Sequence, residues 1–227
     1  MIVRSIVLAA SCMLLSAVAT AGLVVDVQFG PAYTGPAVVG GADYWNSLTV
    51  GNGTGVPLQS PSGNSTAMSI TWTSSRGDVW SGGNGFTGGP YATLMGSYIF
   101  NTGASPKDIF ISGLTAGAAF DLYVYSEGDS GASGRTMHVN ANGVSADTSP
   151  AVVSASTFIL GQNYLKLSVT ADGGGNLDIA YSRLVGEANI NGFQLVDADQ
   201  VPEPGSLGLL AAGLAGLAWL GYRARTR

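Results

Sequence analysis

The chain has 227 residues, 10% of them charged, with nine Lys and Arg against fourteen Asp and Glu. Residues 22–200 carry five basic side chains (Arg76, Lys107, Arg135, Lys166, Arg183) against thirteen acidic ones, a net of −8. Nucleic-acid binding depends on phosphate neutralisation by Lys and Arg, so this balance argues against a nucleic-acid partner.

At the N-terminus, Met1–Arg4 form a short positive region and Ile6–Val18 an apolar run. Ala19-Thr20-Ala21 then puts small residues where a signal peptidase cuts. Residues 1–21 therefore read as a secretory signal peptide, cleaved before Gly22. The sole cysteine, Cys12, lies inside it, and the apolar run continues past that cysteine, which disfavours a lipid anchor. The exported chain then has no cysteine, so neither disulfides nor thiolate chemistry can support it outside the cell.

From residue 22 to 200 the composition is rich in Gly, Ser, Thr, Asn and Ala. Leu23–Phe29 opens as a strand, 30–43 is a Pro- and Gly-broken loop, and Tyr44–Val50 is a short strand. Residues 51–65 read as a connection. In Thr66–Thr73, Met68, Ile70 and Trp72 share one face, the period of two of a half-buried strand. A glycine-rich loop, 82–90, precedes a strand at Thr93–Phe100. Lys107–Ser112 and Ala118–Ser126 follow as two strands joined by a Gly turn, with Phe120, Leu122 and Val124 on one side and Asp121, Tyr123 and Tyr125 on the other. Arg135–Asn140 points Met137 and Val139 inward, and Asn142-Gly143 supplies a turn with positive φ. Phe158–Leu160, Tyr164–Thr170, Asn176–Ser182 and Asn189–Val196 complete a series of strands without an amphipathic helix. That pattern is all-β, a single sandwich over 22–200.

The Gly-turn-strand at 113–125, the strand ending in Asn-Gly at 135–143 and the closing phrase Ile190-Asn191-Gly192-Phe193 loosely resemble the second half of galactose-binding-like jelly-roll domains. The resemblance implies the architecture more than a ligand.

The C-terminus has three parts in order: Pro202-Glu203-Pro204, an uncharged apolar segment from Leu207 to Tyr222, and a tail with Arg223, Arg225 and Arg227. Sixteen residues at 1.5 Å rise make about 24 Å of helix, short of a roughly 30 Å hydrocarbon core. Gly205 and Ser206 extend it, Trp219 and Tyr222 suit an interface, and the arginines hold that end in the cytoplasm. Residues 201–227 resemble the PEP-CTERM sorting signal of certain Gram-negative bacteria. The resemblance implies recognition of Pro202, Glu203 and Pro204 by exosortase, a membrane-embedded cysteine transpeptidase. It also implies a precursor anchored in the inner membrane by its C-terminal helix. The product would then reach the cell envelope, outer surface or extracellular matrix, in species that make extracellular polysaccharide.

The residues point to binding or structure rather than catalysis. The one histidine, His138, falls on the polar side of its strand, excluding a multi-histidine zinc site and fitting a surface or cross-strand role. No serine sits in a nucleophile-elbow context. A pair of carboxylates for glycoside hydrolysis stays open as an alternative, with Glu127 and Glu187 the glutamates available, though in no recognisable motif. For carbohydrate, Tyr44, Trp45, Trp80, Phe86 and Tyr91 lie in or beside Gly-rich loops, with Asp43, Asn46, Asp78 and Asn84 as polar neighbours. A ring can stack on a pyranose while amides and carboxylates fix its hydroxyls; core packing is the plainer role for the same aromatics. Tyr123 and Tyr125 form a second aromatic pair of this kind. Calcium is the cofactor that Glu127, Asp129, Asp172, Asn176 and Asp178 would suit, since these put oxygen ligands around flexible turns; ordinary Asx and Gly turns would use the same residues.

Overall fold

The computed structural model describes residues 22–41, 43–81, 86, 88–129, 135–149 and 156–198. The expected signal peptide, Asn84, the Pro-Glu-Pro motif and the C-terminal apolar segment lie outside the described residues.

Period-two alternation builds most of the strands. The chain runs β1 (Leu23–Gln28), β2 (Asn46–Ser47), β3 (Gly53–Gln59), β4 (Ser65–Trp72), β5 (Trp80–Ser81), α1 (Ala92–Met95), β6 (Ser97–Asn101), β7 (Lys107–Ser112) and β8 (Ala119–Tyr125). It continues with β9 (Thr136–Ala141), β10 (Val144–Asp147), β11 (Tyr164–Thr170), β12 (Leu177–Val185), β13 (Ala188–Ile190) and β14 (Gly192–Asp197). A five-stranded sheet has the order β11-β8-β14-β1-β2, and a six-stranded sheet the order β10-β9-β12-β7-β4-β3. A small third sheet, β13-β6-β5, flanks them.

The two large sheets close on one apolar core. Val25, Val27, Leu122, Val124, Leu165, Leu167, Phe193 and Leu195 come from the first, and Met68, Ile70, Trp72, Ile109, Ile111, Met137, Val139, Ile179 and Tyr181 from the second. The expected inward faces of β4, β8, β9 and β11 are the observed ones, and the fold is a β-sandwich. His138 sits opposite Asp147 on β10, with Nδ1 2.6 Å from the carboxylate, so the cross-strand role is the one it plays.

Four local expectations are corrected, the first at Phe158–Leu160, which forms no strand and makes only a single bridge from Leu160 to Tyr164. Residues 51–65 hold an edge strand, β3, rather than a mere connection; only Leu58 of it is buried, so it carries no apolar alternation to read. The strand expected at Thr93–Phe100 is divided: Ala92–Met95 is one helical turn, and extended chain begins at Ser97. Tyr44–Val50 contributes only the two-residue β2, which pairs parallel to β1.

The outer face of the five-stranded sheet is also covered. The β1–β2 loop, α1 and the segment before β11 enclose a second, aromatic core of Tyr33, Trp45, Phe86, Leu94, Met95 and Tyr125, with Tyr91, Phe158 and Tyr164 packed against it. Tyr125, expected on a polar face, is wholly buried there.

The phrase Ile190-Asn191-Gly192-Phe193 marks the step between the small sheet and the five-stranded one. Asn191 donates from Nδ2 to the Met95 and Ser97 carbonyls and accepts from the Glu127 amide, joining three segments. A Cβ on Gly192 would lie 2.3 Å from the Val27 carbonyl oxygen, so only glycine fits that approach.

Candidate functional site

β1 and β14 are antiparallel neighbours, with Leu23 opposite Val196 and Gln28 opposite Gly192. The Asp197 amide donates to the Gly22 carbonyl at 2.7 Å. Both ends of the described domain therefore leave one pole of the sandwich. At the other pole, the loop after β8, the start of β9 and the β12–β13 turn meet the small sheet. There they form a cleft of about 280 Å³ lined by Arg76, Trp80, Tyr98, Phe100, Thr102, Asp129, Arg135 and Glu187.

The β5–β6 pairing sets Trp80 opposite Tyr98. Trp80 is 39% exposed, whereas Tyr98 is buried and forms part of the floor. Arg135 organises the polar side. Its guanidinium lies 2.6 Å from Asp129 Oδ1 and 2.7 Å from Glu187 Oε1, and it donates to the Tyr98 hydroxyl at 3.3 Å. Asn189 Nδ2 holds the same Glu187 oxygen at 2.7 Å. Burial pushes the Tyr98 phenol up to about 12, against the opposing pull of Arg135, so it stays a neutral donor and acceptor. Gly128 leaves room for this cation: a Cβ there would lie 3.0 Å from both Arg135 Cδ and a guanidinium nitrogen. At the rim, Arg76 and Asp78 form an exposed ion pair at 3.6 Å.

The structure divides the aromatic residues that the sequence grouped. Trp80 and Asp78 stand at the cleft. Tyr44 is 40% exposed elsewhere, over Gly63. Trp45 (3% exposed) and Phe86 belong to the second core, Tyr91 packs on its margin, and Trp45 meets Tyr33 edge-on at 5.4 Å. Asp43 accepts from the Gly41 amide in the β1–β2 loop, and Asn46 clamps the main chain of Asp26 and Gln59. Arg135, Arg76, Tyr98 and Thr102 were not singled out by sequence. The signal available was scarcity: with only five cations in the domain, a cation next to a Gly-rich loop is conspicuous.

The residues considered for calcium do not come together. Tyr164 pairs with Tyr125 and Thr170 with Ala119, so Glu127 and Asp129 lie at one pole and Asp172, Asn176 and Asp178 at the other. Asp172 Oδ1 accepts from the Gly174 amide and from the Asn176 amide and side chain, which closes a turn and holds its carboxyl below the usual range. Asp178 is raised by burial and by nearby Asp108. Asp129 faces the Arg135 guanidinium. Glu127 is buried, its carboxyl pushed up to about 7 by desolvation, with Oε2 unpartnered. Among the described residues no three His, Cys, Asp or Glu side chains cluster as a metal site would require.

Residues 200–224 match the PEP-CTERM protein-sorting motif. The chain is thus an exported protein carrying a C-terminal sorting signal. No curated protein matches the chain in sequence. Among solved structures, a CBM35 module from Cellvibrio japonicus Abf62 is 17% identical, with 66% of this chain and 93% of that one covered and a TM-score of 0.36. A family 35 carbohydrate-binding module from Clostridium thermocellum is 14% identical, over 64% of this chain and 100% of that one, TM-score 0.35. The plant receptor-like kinase ANX2 is 13% identical, over 78% and 49%, TM-score 0.45.

Proposed function

We propose that this protein is a non-enzymatic component of the bacterial envelope or extracellular matrix that holds a polysaccharide strand in the Trp80 cleft. The observation that carries the reading is the half-exposed Trp80 ring beside a pre-ordered set of donors and acceptors. The indole offers a flat apolar face to a pyranose, while Arg76, Thr102 and Glu187 supply polar anchors at the cleft wall. Arg135 is already held by three partners, so the polar wall loses little freedom when a ligand arrives.

The same geometry supports binding over hydrolysis. A glycosidase keeps one carboxyl protonated and one ionised across the scissile bond. Here the two acids lining the cleft, Asp129 and Glu187, are both taken up by the same arginine rather than set across an open gap from one another. Glu127, the acid raised by burial, is not among the cleft-lining residues.

The sorting motif supports the address: an inner-membrane precursor with Pro202, Glu203 and Pro204 read by an exosortase-type transpeptidase, then a product at the surface or in the matrix. The test is binding of the chain to its host's extracellular polysaccharide, with calcium and with chelator. Saturable binding weakened at least tenfold by Trp80→Ala is expected, with Trp45→Ala acting on stability instead. Binding that is indifferent to Trp80 would overturn the cleft, and loss in chelator would give calcium a part that these turns do not suggest.

A further inference from the structure

The second aromatic core is held shut by a hydrogen-bonded chain that ends on a buried acid. Residues 33–39 cross the outer face of β14 and β8, and side chains of the sheet, rather than strand pairing, fasten them there. The Val38 amide donates to the Tyr125 hydroxyl at 3.1 Å. The Val39 amide donates to Gln194 Oε1 at 3.2 Å, and Gln194 Nε2 donates back to the Val39 carbonyl at 2.9 Å. Tyr125 in turn donates to Gln194 Oε1. Gln194 Nε2 also donates to Asp26 Oδ1 at 2.8 Å. Asp26, Gln194 and Tyr125 are all 0% exposed, and Asp26 Oδ2 has no partner. At the far end of the crossing, the Tyr33 hydroxyl lies between the Pro36 and Pro90 carbonyl oxygens, at 2.6 and 2.9 Å, and anchors the segment with its one proton.

We infer that this crossing is an acid-tightened clasp over the Trp45 and Tyr125 cluster, fastened while Asp26 carries a proton and loosened when it ionises. A protonated Asp26 presents a neutral carboxyl to Gln194. An ionised one leaves a full charge in a site without a compensating cation. The groups around it are Gln194 from β14, Tyr125 from β8, Asn46 from β2 through the Asp26 main chain, and Asp43 from the loop itself. The first three are neutral at physiological pH and Asp43 adds like charge. Burial, more than these neighbours, raises the Asp26 carboxyl from 3.8 to about 7.

The sign follows. In the open form Asp26 is hydrated and titrates near the ordinary Asp value, so between about pH 4 and 7 the closed form alone retains the proton. Closing is favoured most below about pH 4, weakens by up to about tenfold per pH unit through that window, and is constant above about pH 7. Loosening uncovers Trp45, Tyr33 and Tyr125 together.

The test is hydrogen exchange on the full chain, followed by mass spectrometry of the peptide spanning residues 33–41, from pH 4.5 to 8. Protection of this segment, corrected for intrinsic exchange, should fall at least tenfold with rising pH in the wild type and stay level in Asp26→Asn. Equal pH dependence in both proteins would overturn the clasp. Should Asp26→Asn fail to fold, the carboxyl-carbon titration of Asp26 in the wild type decides by NMR. A midpoint near neutrality that coincides with the loss of protection supports the inference, and a midpoint in the ordinary aspartate range overturns it.

Discussion

Arg135 carries more of the cleft than Trp80 does, because three groups depend on it. Removing its guanidinium leaves Asp129 and Glu187 facing one another without the cation between them, and takes a donor from the buried Tyr98 hydroxyl. Breaking one partner out of a half-buried ion network costs more than the network adds, since the remaining charges stay desolvated. We expect Arg135→Ala to lower stability by about 2–3 kcal/mol and to weaken polysaccharide binding along with it, measured by chemical denaturation and by titration. Arg135→Lys should recover only part of either, because an ammonium lacks the planar fork that reaches two carboxylates and a hydroxyl at once. The exposed pair of Arg76 and Asp78 is a different case: each side chain is more than half exposed, and neutralising Asp78 should leave stability unchanged.

At the scale of elements, the strands visible in the sequence were those whose alternation the core enforces. β4, β9 and β11 largely bury alternate side chains, and β8 does so on its core face while also burying Asp121 and Tyr125 on the other; the core-facing residues of all four could be read directly. β3 escaped because an edge strand is bonded on one side only, tolerates Pro57, and needs little apolar content to stay in place. α1 escaped because four residues are too few to show a helical period. The aromatic residues misled for a related reason. Trp45 and Phe86 sit in glycine-rich loop sequence, which suggests exposure, yet those loops fold back over the outer face of a sheet and bury them. Nothing in local sequence announces that a sheet has two covered faces. Edge strand β3 also explains a glycine: a Cβ on Gly53 would fall 2.1–2.7 Å from the ring of Trp72, its partner across the pair. Gly53→Ala should therefore cost about 1–3 kcal/mol, read as a drop in the thermal midpoint, with the edge strand displaced from the indole.

For the whole molecule, the address was legible because a sorting signal is a linear code read by another protein, and three features in order suffice for it. The cleft was not, since its walls come from β5, β6, the start of β9 and two loops that only the topology brings together. Trp80 was visible as a candidate; the arginine that organises its surroundings was not. In a host that makes the sorting enzyme, intact-mass analysis should find a product lacking residues 207–227. A retained tail there would remove the processing step from the proposal.

The two ends of the sandwich, Gly22 and Asp197, are joined by a hydrogen bond at one pole, and the Trp80 cleft lies at the other. Strand β14 spans about 17–20 Å between them at the usual rise of a strand. A chain held through residues beyond Asp197 is therefore gripped at the pole remote from Trp80. Attachment at that pole leaves the mouth of the cleft uncovered.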